Sequence, residues 1–147
     1  MATARARAVY PRSAAPTFEP PDLTDRAVRE RLTPPSLRGF FAIMERWGVR
    51  DEDARLLLGG LSRATFYEMK RDPVRVCSID ELTRISYIVG IFKALNVLHG
   101  ETLADRWMQL PNAHRMFGGY TPLASVVRGG IPALDQVRRL LDARRGL

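Results

Sequence analysis

The chain has 147 residues, of which 46% are hydrophobic, so it is long enough for one domain or for two small ones that share a core. Its net charge is +7, and all of its 23 basic residues except Lys70 and Lys93 are arginine, which leaves open an anionic partner such as DNA. The single cysteine, Cys77, excludes an intrachain disulfide, and no apolar run approaches the ~18 residues of a membrane span, so we expect a cytoplasmic protein without a membrane partner.

The first part of the chain, residues 1–35, is predicted to be a flexible N-terminal arm. Prolines recur along it, and each lacks an amide donor and restrains the residue before it. These prolines are Pro11, Pro16, Pro20, Pro21, Pro34 and Pro35. A short helix over residues 23–32, capped by Asp22 or Thr24, is the one regular element expected there.

Residues 36–100 are predicted to form a helical domain. From Ser36, apolar residues recur at spacings of three and four up to Trp47, and Gly48 is expected to end that helix. A second helix is predicted to begin at Asp51, with acidic residues in its first turn. A third is predicted over residues 63–71, capped by Ser62.

A longer apolar helix is predicted after Ser78, up to about His99. It is too apolar for a helix with one exposed face, so we expect it to join the two halves of the protein. No segment alternates with a period of two. The sequence therefore predicts an all-α fold in which a helix-turn-helix domain is joined by a long helix to a small helical module, residues 101–147.

The second and third helices, with the glycine turn between them, match a helix-turn-helix. In that motif the N-terminal part of the second helix enters the major groove, where arginine reads guanine and threonine or alanine contacts a thymine methyl group. The candidate DNA-binding residues are Ser62, Arg63, Ala64, Thr65, Tyr67 and Lys70. A helical hairpin with a solvated polar face explains the same pattern, and Glu68 and Asp72 place negative charge nearby.

Residues that break, cap, start or stop helices are frequent between Ala104 and Gly130. Pro111 breaks a helix and Asn112 can cap the next turn of the chain. Thr121-Pro122 is a helix start, and Gly129-Gly130 is expected to stop that helix before a last one over about residues 132–145. These signals specify a helical module that carries no catalytic side chains.

Nothing in the sequence indicates an enzyme, a cofactor or a metal site. The two histidines, His99 and His114, have no cysteine or carboxylate at ligand spacing, and Cys77 has no neighbouring cationic base. No nucleophile has a histidine near it, and no glycine-rich phosphate loop comes after a strand.

The C-terminal signals resemble the toxin-binding domain of the Xre/MbcA/ParS antitoxins. The resemblance rests on Trp107, Leu110-Pro111-Asn112, Phe117-Gly118-Gly119, Thr121-Pro122-Leu123, Gly129-Gly130, Val137 and Leu140-Leu141. The segment from Leu61 to Met69 is similar to the recognition helix of the Xre-like N-terminal domain in the same proteins. Together the similarity covers about residues 36–146.

The resemblance implies a bacterial type II antitoxin that binds a RES-domain, NAD-consuming toxin and covers access to its active site. It also implies a homodimer within a hetero-oligomeric toxin–antitoxin complex, and repression of its own operon through operator DNA. The candidate toxin-binding residues are Trp107, Asn112, Arg115, Pro122, Leu123, Arg138, Arg139, Arg144 and Arg145. Two alternatives stay open, a helix-turn-helix regulator whose C-terminal module only dimerises it, and an antitoxin without DNA activity.

Two of these assignments have competing structural interpretations. Trp107 lies on an apolar face, which is more typical of a core residue than of an interface. The arginines of the last helix are at helical spacing from Asp135 and Asp142, so they can form ion pairs on a solvated face instead of binding a partner.

Overall fold

A computed structural model describes residues 19–72 and 75–147, and within these ranges the chain is helical with no strand. The six α-helices are α1 (Arg26–Trp47), α2 (Asp51–Leu57), α3 (Arg63–Arg71), α4 (Ile79–Leu98), α5 (Glu101–Arg106) and α6 (Pro122–Arg144). Two 3₁₀ turns, Trp107–Gln109 and Arg115–Phe117, connect α5 to α6. The predicted all-α fold is confirmed. Most of the predicted N-terminal arm, residues 1–18, lies outside the described residues.

Helix α1 unites two helices that the sequence predicts separately, a short one over residues 23–32 and one from Ser36. It starts at Arg26, after Asp25 accepts a hydrogen bond from the amide of Ala27 at 2.9 Å, and it continues through Pro34 and Pro35. The expected interruption of regular structure before Ser36 is therefore wrong. A proline inside a helix frees the carbonyl four residues earlier, and here both freed carbonyls belong to exposed residues, where water can bond to them.

The predicted helix-turn-helix is confirmed in its boundaries. Gly48, with a φ of 65°, ends α1 in the left-handed conformation. Helix α2 then begins at Asp51, and Ser62 caps α3 by accepting a hydrogen bond from the amide of Thr65 at 3.2 Å. The buried residues of α3 are Phe66 and Met69, as the apolar spacing predicts.

Helix α4 is the central element of the molecule. Ser78 and Glu81 form a reciprocal capping box at its start, and it packs against α1 on one side and α6 on the other. The buried residues of the helix-turn-helix half and of the C-terminal half belong to a single hydrophobic cluster. The long helix therefore joins the two halves through a shared core, as expected.

Helix α6 consists of two arms that meet at Gly130. Thr121 caps the first arm by accepting a hydrogen bond from the amide of Ala124 at 3.2 Å. Gly130 has a φ of 65° and a ψ of −148°, a conformation that is essentially restricted to glycine. A Cβ atom on Gly129 would lie 2.5 Å from the Cβ of Ala133, so the arms also approach too closely for a side chain there. The predicted helix stop is thus a sharp kink.

Candidate functional site

Helix α3 presents one polar face to solvent because its apolar residues are turned into the core. Arg63, Tyr67 and Lys70 are exposed, and Tyr67 keeps 46% of its surface accessible although it is aromatic. Edge-to-face contact between Tyr67 and Phe66, with ring centroids 5.4 Å apart, positions the tyrosine beside the core. The structure therefore brings these three predicted DNA-binding residues together on one accessible surface.

The other predicted DNA-binding residues lie at the start of the same helix. The Ser62 hydroxyl donates a hydrogen bond to the Thr65 hydroxyl at 2.9 Å while it accepts one from the Thr65 amide, and Thr65 is half-buried. Ala64 is exposed. Ser62 and Thr65 are thus engaged in the cap that sets the direction of α3, and Ala64 is free to contact a ligand.

Acidic residues of α2 lie against the cations of α3. Lys70 Nζ is 2.8 Å from Asp51 Oδ1, and Arg63 Nε is 3.7 Å from Glu52 Oε2. A hydrogen bond from Arg55 lowers the pKa of Glu52, so this carboxylate stays ionised. These exposed pairs are weak, and a phosphate that binds Lys70 or Arg63 competes with them directly.

A cation that the sequence interpretation missed lies next to this face. Arg38 of α1 lines a groove of about 360 Å³ together with Lys70 and Arg71 of α3. Residues 32 positions apart in sequence cannot be placed together by periodicity within one helix. The groove adds a positive charge beside α3 that could contact a nucleic-acid backbone.

In the C-terminal half, several predicted toxin-binding residues are buried inside the chain. Trp107 is only 7% exposed and packs edge-to-face on Phe117, with centroids 6.0 Å apart; Pro122 and Leu123 are also buried. Asn112 accepts a hydrogen bond from the amide of His114 at 2.9 Å and so fixes the turn after Pro111. These four residues therefore shape the module; Asn112 remains half-buried, and Leu123 also borders a second groove.

The arginines on the second arm of α6 are mostly bound within the chain. Arg138 and Arg139 form ion pairs of 2.9 Å with Asp142 and Asp135, and Arg145 lies 3.7 Å from Asp142. The guanidinium group of Arg138 also lies against Gly90 of α4, where a Cβ atom would be only 1.3 Å from Nη1. Arg144 is exposed. The ion-paired interpretation thus describes most of this cluster.

The module has an accessible groove at the α6 kink. It has a volume of about 440 Å³ and is bounded by the second 3₁₀ turn and both arms of α6. Its lining residues are Arg115, Met116, Phe117, Gly118, Tyr120, Ser125, Arg128, Gly129, Ala133, Gln136 and Val137. We call it the kink groove. Of the predicted toxin-binding residues, only Arg115 lies in it.

Arg128 is the principal residue of the kink groove that sequence reasoning missed. Its guanidinium carbon lies 4.5 Å from the centre of the exposed Tyr120 ring, a cation–π contact. Helical spacing could not have paired the two residues, because Tyr120 lies before the Thr121 cap and outside α6.

No other chemistry is evident in the described residues. They contain no group of three histidine, cysteine or acidic residues that could hold a metal ion, and none of their helices is both long and apolar enough to cross a bilayer. Cys77 is buried, and burial raises the pKa of its thiol to about 11.

The fold defines a class of protein, an all-α protein with a helix-turn-helix domain and a second helical module at its C-terminal end. The profile of the antitoxin Xre-like helix-turn-helix domain matches residues 33–90, and that of the antitoxin Xre/MbcA/ParS C-terminal toxin-binding domain matches residues 93–146. The chain is also 36% identical over 114 residues to the uncharacterized protein y4oB of Sinorhizobium fredii, covering 77% of this chain and 86% of that protein. No solved structure matches it significantly.

The chain belongs to the Xre/MbcA/ParS antitoxin family. Its two domains are those of an antitoxin of a toxin–antitoxin system, in agreement with the resemblance seen in the sequence. The two matched regions meet inside α4, the helix that both halves share.

Proposed function

We propose that this protein is the antitoxin of a type II system and neutralises a RES-domain, NAD-consuming toxin by binding it directly and covering its active site. The observation that carries the proposal is the kink groove, an open and preshaped surface inside the toxin-binding domain. Its walls are held by the Thr121 cap, the Gly130 kink and the buried Trp107–Phe117 pair. Such preorganisation lowers the entropy lost on binding.

Co-expression tests this proposal. The product of the adjacent open reading frame, induced alone in a bacterial host, is expected to lower cellular NAD and arrest growth. Simultaneous expression of this chain is expected to restore both, and the two proteins are expected to co-purify. Arrest that continues despite expression of the folded chain, or a neighbouring product that leaves NAD unchanged, would contradict the proposal.

We propose in addition that α3 binds operator DNA and represses the operon that encodes the chain. Arg63, Tyr67 and Lys70 form an accessible face on α3, and Arg38 and Arg71 extend its positive charge. Arg63 is the best-placed residue for base recognition because it lies at the N-terminal end of the helix, which enters the major groove in this motif. Its partner Glu52 is exposed and holds it only at 3.7 Å.

Fluorescence anisotropy with DNA from upstream of the gene tests this second proposal. Arg63→Ala is expected to weaken specific binding by about 1–3 kcal/mol, while Lys70→Gln weakens binding to all sequences and lowers the salt dependence. Arg106→Gln, an exposed arginine on α5, serves as the matched control. Unchanged affinity of Arg63→Ala would remove Arg63 from base recognition.

The same variants separate the antitoxin from the alternative of a regulator whose C-terminal module only dimerises it. Arg63→Ala is expected to bind operator DNA more weakly and still neutralise the toxin, because α3 and the kink groove are different surfaces. The homodimer and the cytoplasmic location inferred from the sequence belong to this proposal as well. Sedimentation of the purified chain measures the former, and cell fractionation the latter.

A further inference from the structure

Two arginines in the kink groove have no acidic partner in the part of the chain that the structure describes. Arg115 and Arg128 are exposed and line the same groove, and neither forms an ion pair or a side-chain hydrogen bond with a described residue. No carboxylate belongs to the lining of the groove. Asp53 lies in the adjoining groove that Arg128 also borders, and it pairs with Arg50 at 3.3 Å.

This arrangement contrasts with most of the arginines near the end of α6. Arg138, Arg139 and Arg145 each have an aspartate of α6 within ion-pairing distance. Those pairs are internal to α6 and are available whether or not a partner is bound. Arg106 and Arg144 also have no acidic partner among the described residues, but they do not line the groove, which brings two such arginines, Arg115 and Arg128, together.

The groove offers more than charge. The guanidinium of Arg128 is held against the Tyr120 ring, so part of its conformational freedom is already lost before a ligand arrives. Ser125 and Gln136 add side-chain hydrogen-bond donors, and the half-buried Met116 and Ala133 add an apolar surface. An arginine fork binds a carboxylate with two parallel hydrogen bonds, and the apolar surface suits methylene groups beside that carboxylate.

We propose that the kink groove binds an acidic side chain of the toxin, an aspartate or glutamate flanked by apolar residues, with Arg115 and Arg128 as its ligands. The inference rests on the proposed antitoxin function and names the chemistry by which the partner is recognised. A protein carboxylate is preferred over a free anion because the groove lies in the toxin-binding domain and combines cationic and apolar walls. About 440 Å³ is room for one large side chain and parts of its neighbours.

The test measures the dissociation constant of the complex between the full chain and the adjacent gene's product by biolayer interferometry, from 50 to 500 mM NaCl. Arg115→Gln and Arg128→Gln are expected to weaken binding by about tenfold or more each, since hydrogen bonds to charged groups contribute that much. The double variant is expected to lose much of the salt dependence. Arg115→Lys with Arg128→Lys keeps the charge without the fork and is expected to recover only part of the affinity.

The matched control is Arg31→Gln with Arg38→Gln, which removes two exposed arginines of α1, outside the matched toxin-binding domain, and has the same change in net charge. Thermal unfolding of all variants verifies that they are folded. If the wild-type chain binds its partner, and the Arg115/Arg128 double variant binds with the same affinity and salt dependence as the control, the inference is overturned and the antitoxin function is left intact. Absence of a complex with the wild-type chain would overturn the proposed function, and the inference with it.

Discussion

Replacing Gly130 by alanine tests whether the α6 kink is a fixed part of the module. A φ of 65° with a ψ of −148° lies where a Cβ atom is strained, and holding a non-glycine residue there costs about 1–3 kcal/mol. For a chain of this size, that loss lowers the melting temperature by about 2–12 °C. If the helix straightened to relieve the strain, the walls of the kink groove would move and toxin binding would weaken as well.

The matched control is the same substitution at Gly39. Gly39 lies within α1, and a Cβ atom there has no neighbour within 4 Å, so Gly39→Ala is expected to stabilise the chain by about 0.5–1 kcal/mol through helix propensity. Urea unfolding followed by circular dichroism measures both variants. A Gly130→Ala variant as stable as the wild type, or a shift of the free energy of unfolding in the same direction for both substitutions, would contradict a kink that requires glycine.

Three further predictions concern α4 and the loop before it. In an Arg138→Ala background, Gly90→Ala is expected to stabilise the chain by about 0.5–1 kcal/mol through helix propensity. In the wild type the stabilisation is expected to be smaller, because the new methyl group displaces the Arg138 guanidinium. A double-mutant cycle that shows no coupling between the two positions would contradict this. Glu81→Gln keeps the capping box but removes the negative charge that lies 2.7 Å from Arg75. Urea unfolding should therefore show that the free energy of unfolding falls by about 1–3 kcal/mol, and a variant as stable as the wild type would show that the pair does not stabilise the fold. With its pKa raised to about 11, the Cys77 thiol should react with a thiol reagent at pH 8 only after unfolding, and rapid native labelling would exclude this. Because the unfolded thiol ionises near pH 9 and the folded one near 11, this group's contribution to stability should fall as the pH rises through that window.

Local signals were sufficient to predict most helix ends. Ser62, Ser78 and Thr121 accept the hydrogen bonds that their cap positions predict, and Gly48 adopts the left-handed conformation expected after α1. Capping depends on residues only a few positions apart, so the sequence contains all the information needed. The continuity of α1 across Pro34 and Pro35 was missed because the cost of these prolines depends on whether the freed carbonyls are exposed, which is a tertiary property.

The candidate site was less predictable for the same physical reason. That Arg138 and Arg139 pair with Asp142 and Asp135 could be foreseen from helical spacing. The grouping of Arg115 with Arg128 could not, since it depends on a 3₁₀ turn packing against a kinked helix. Trp107 belongs to the matched family domain and yet is buried, so its place in the motif reflects the shape of the module.

The central claim is that the toxin binds the kink groove while α3 remains available for DNA. Hydrogen–deuterium exchange of the full chain, alone and with the adjacent gene's product, tests it most directly. Complex formation is expected to slow exchange over residues 115–130 and to leave exchange over residues 62–71 unchanged. Protection confined to α3, or no change anywhere in residues 115–130 of a chain that binds its partner, would contradict it.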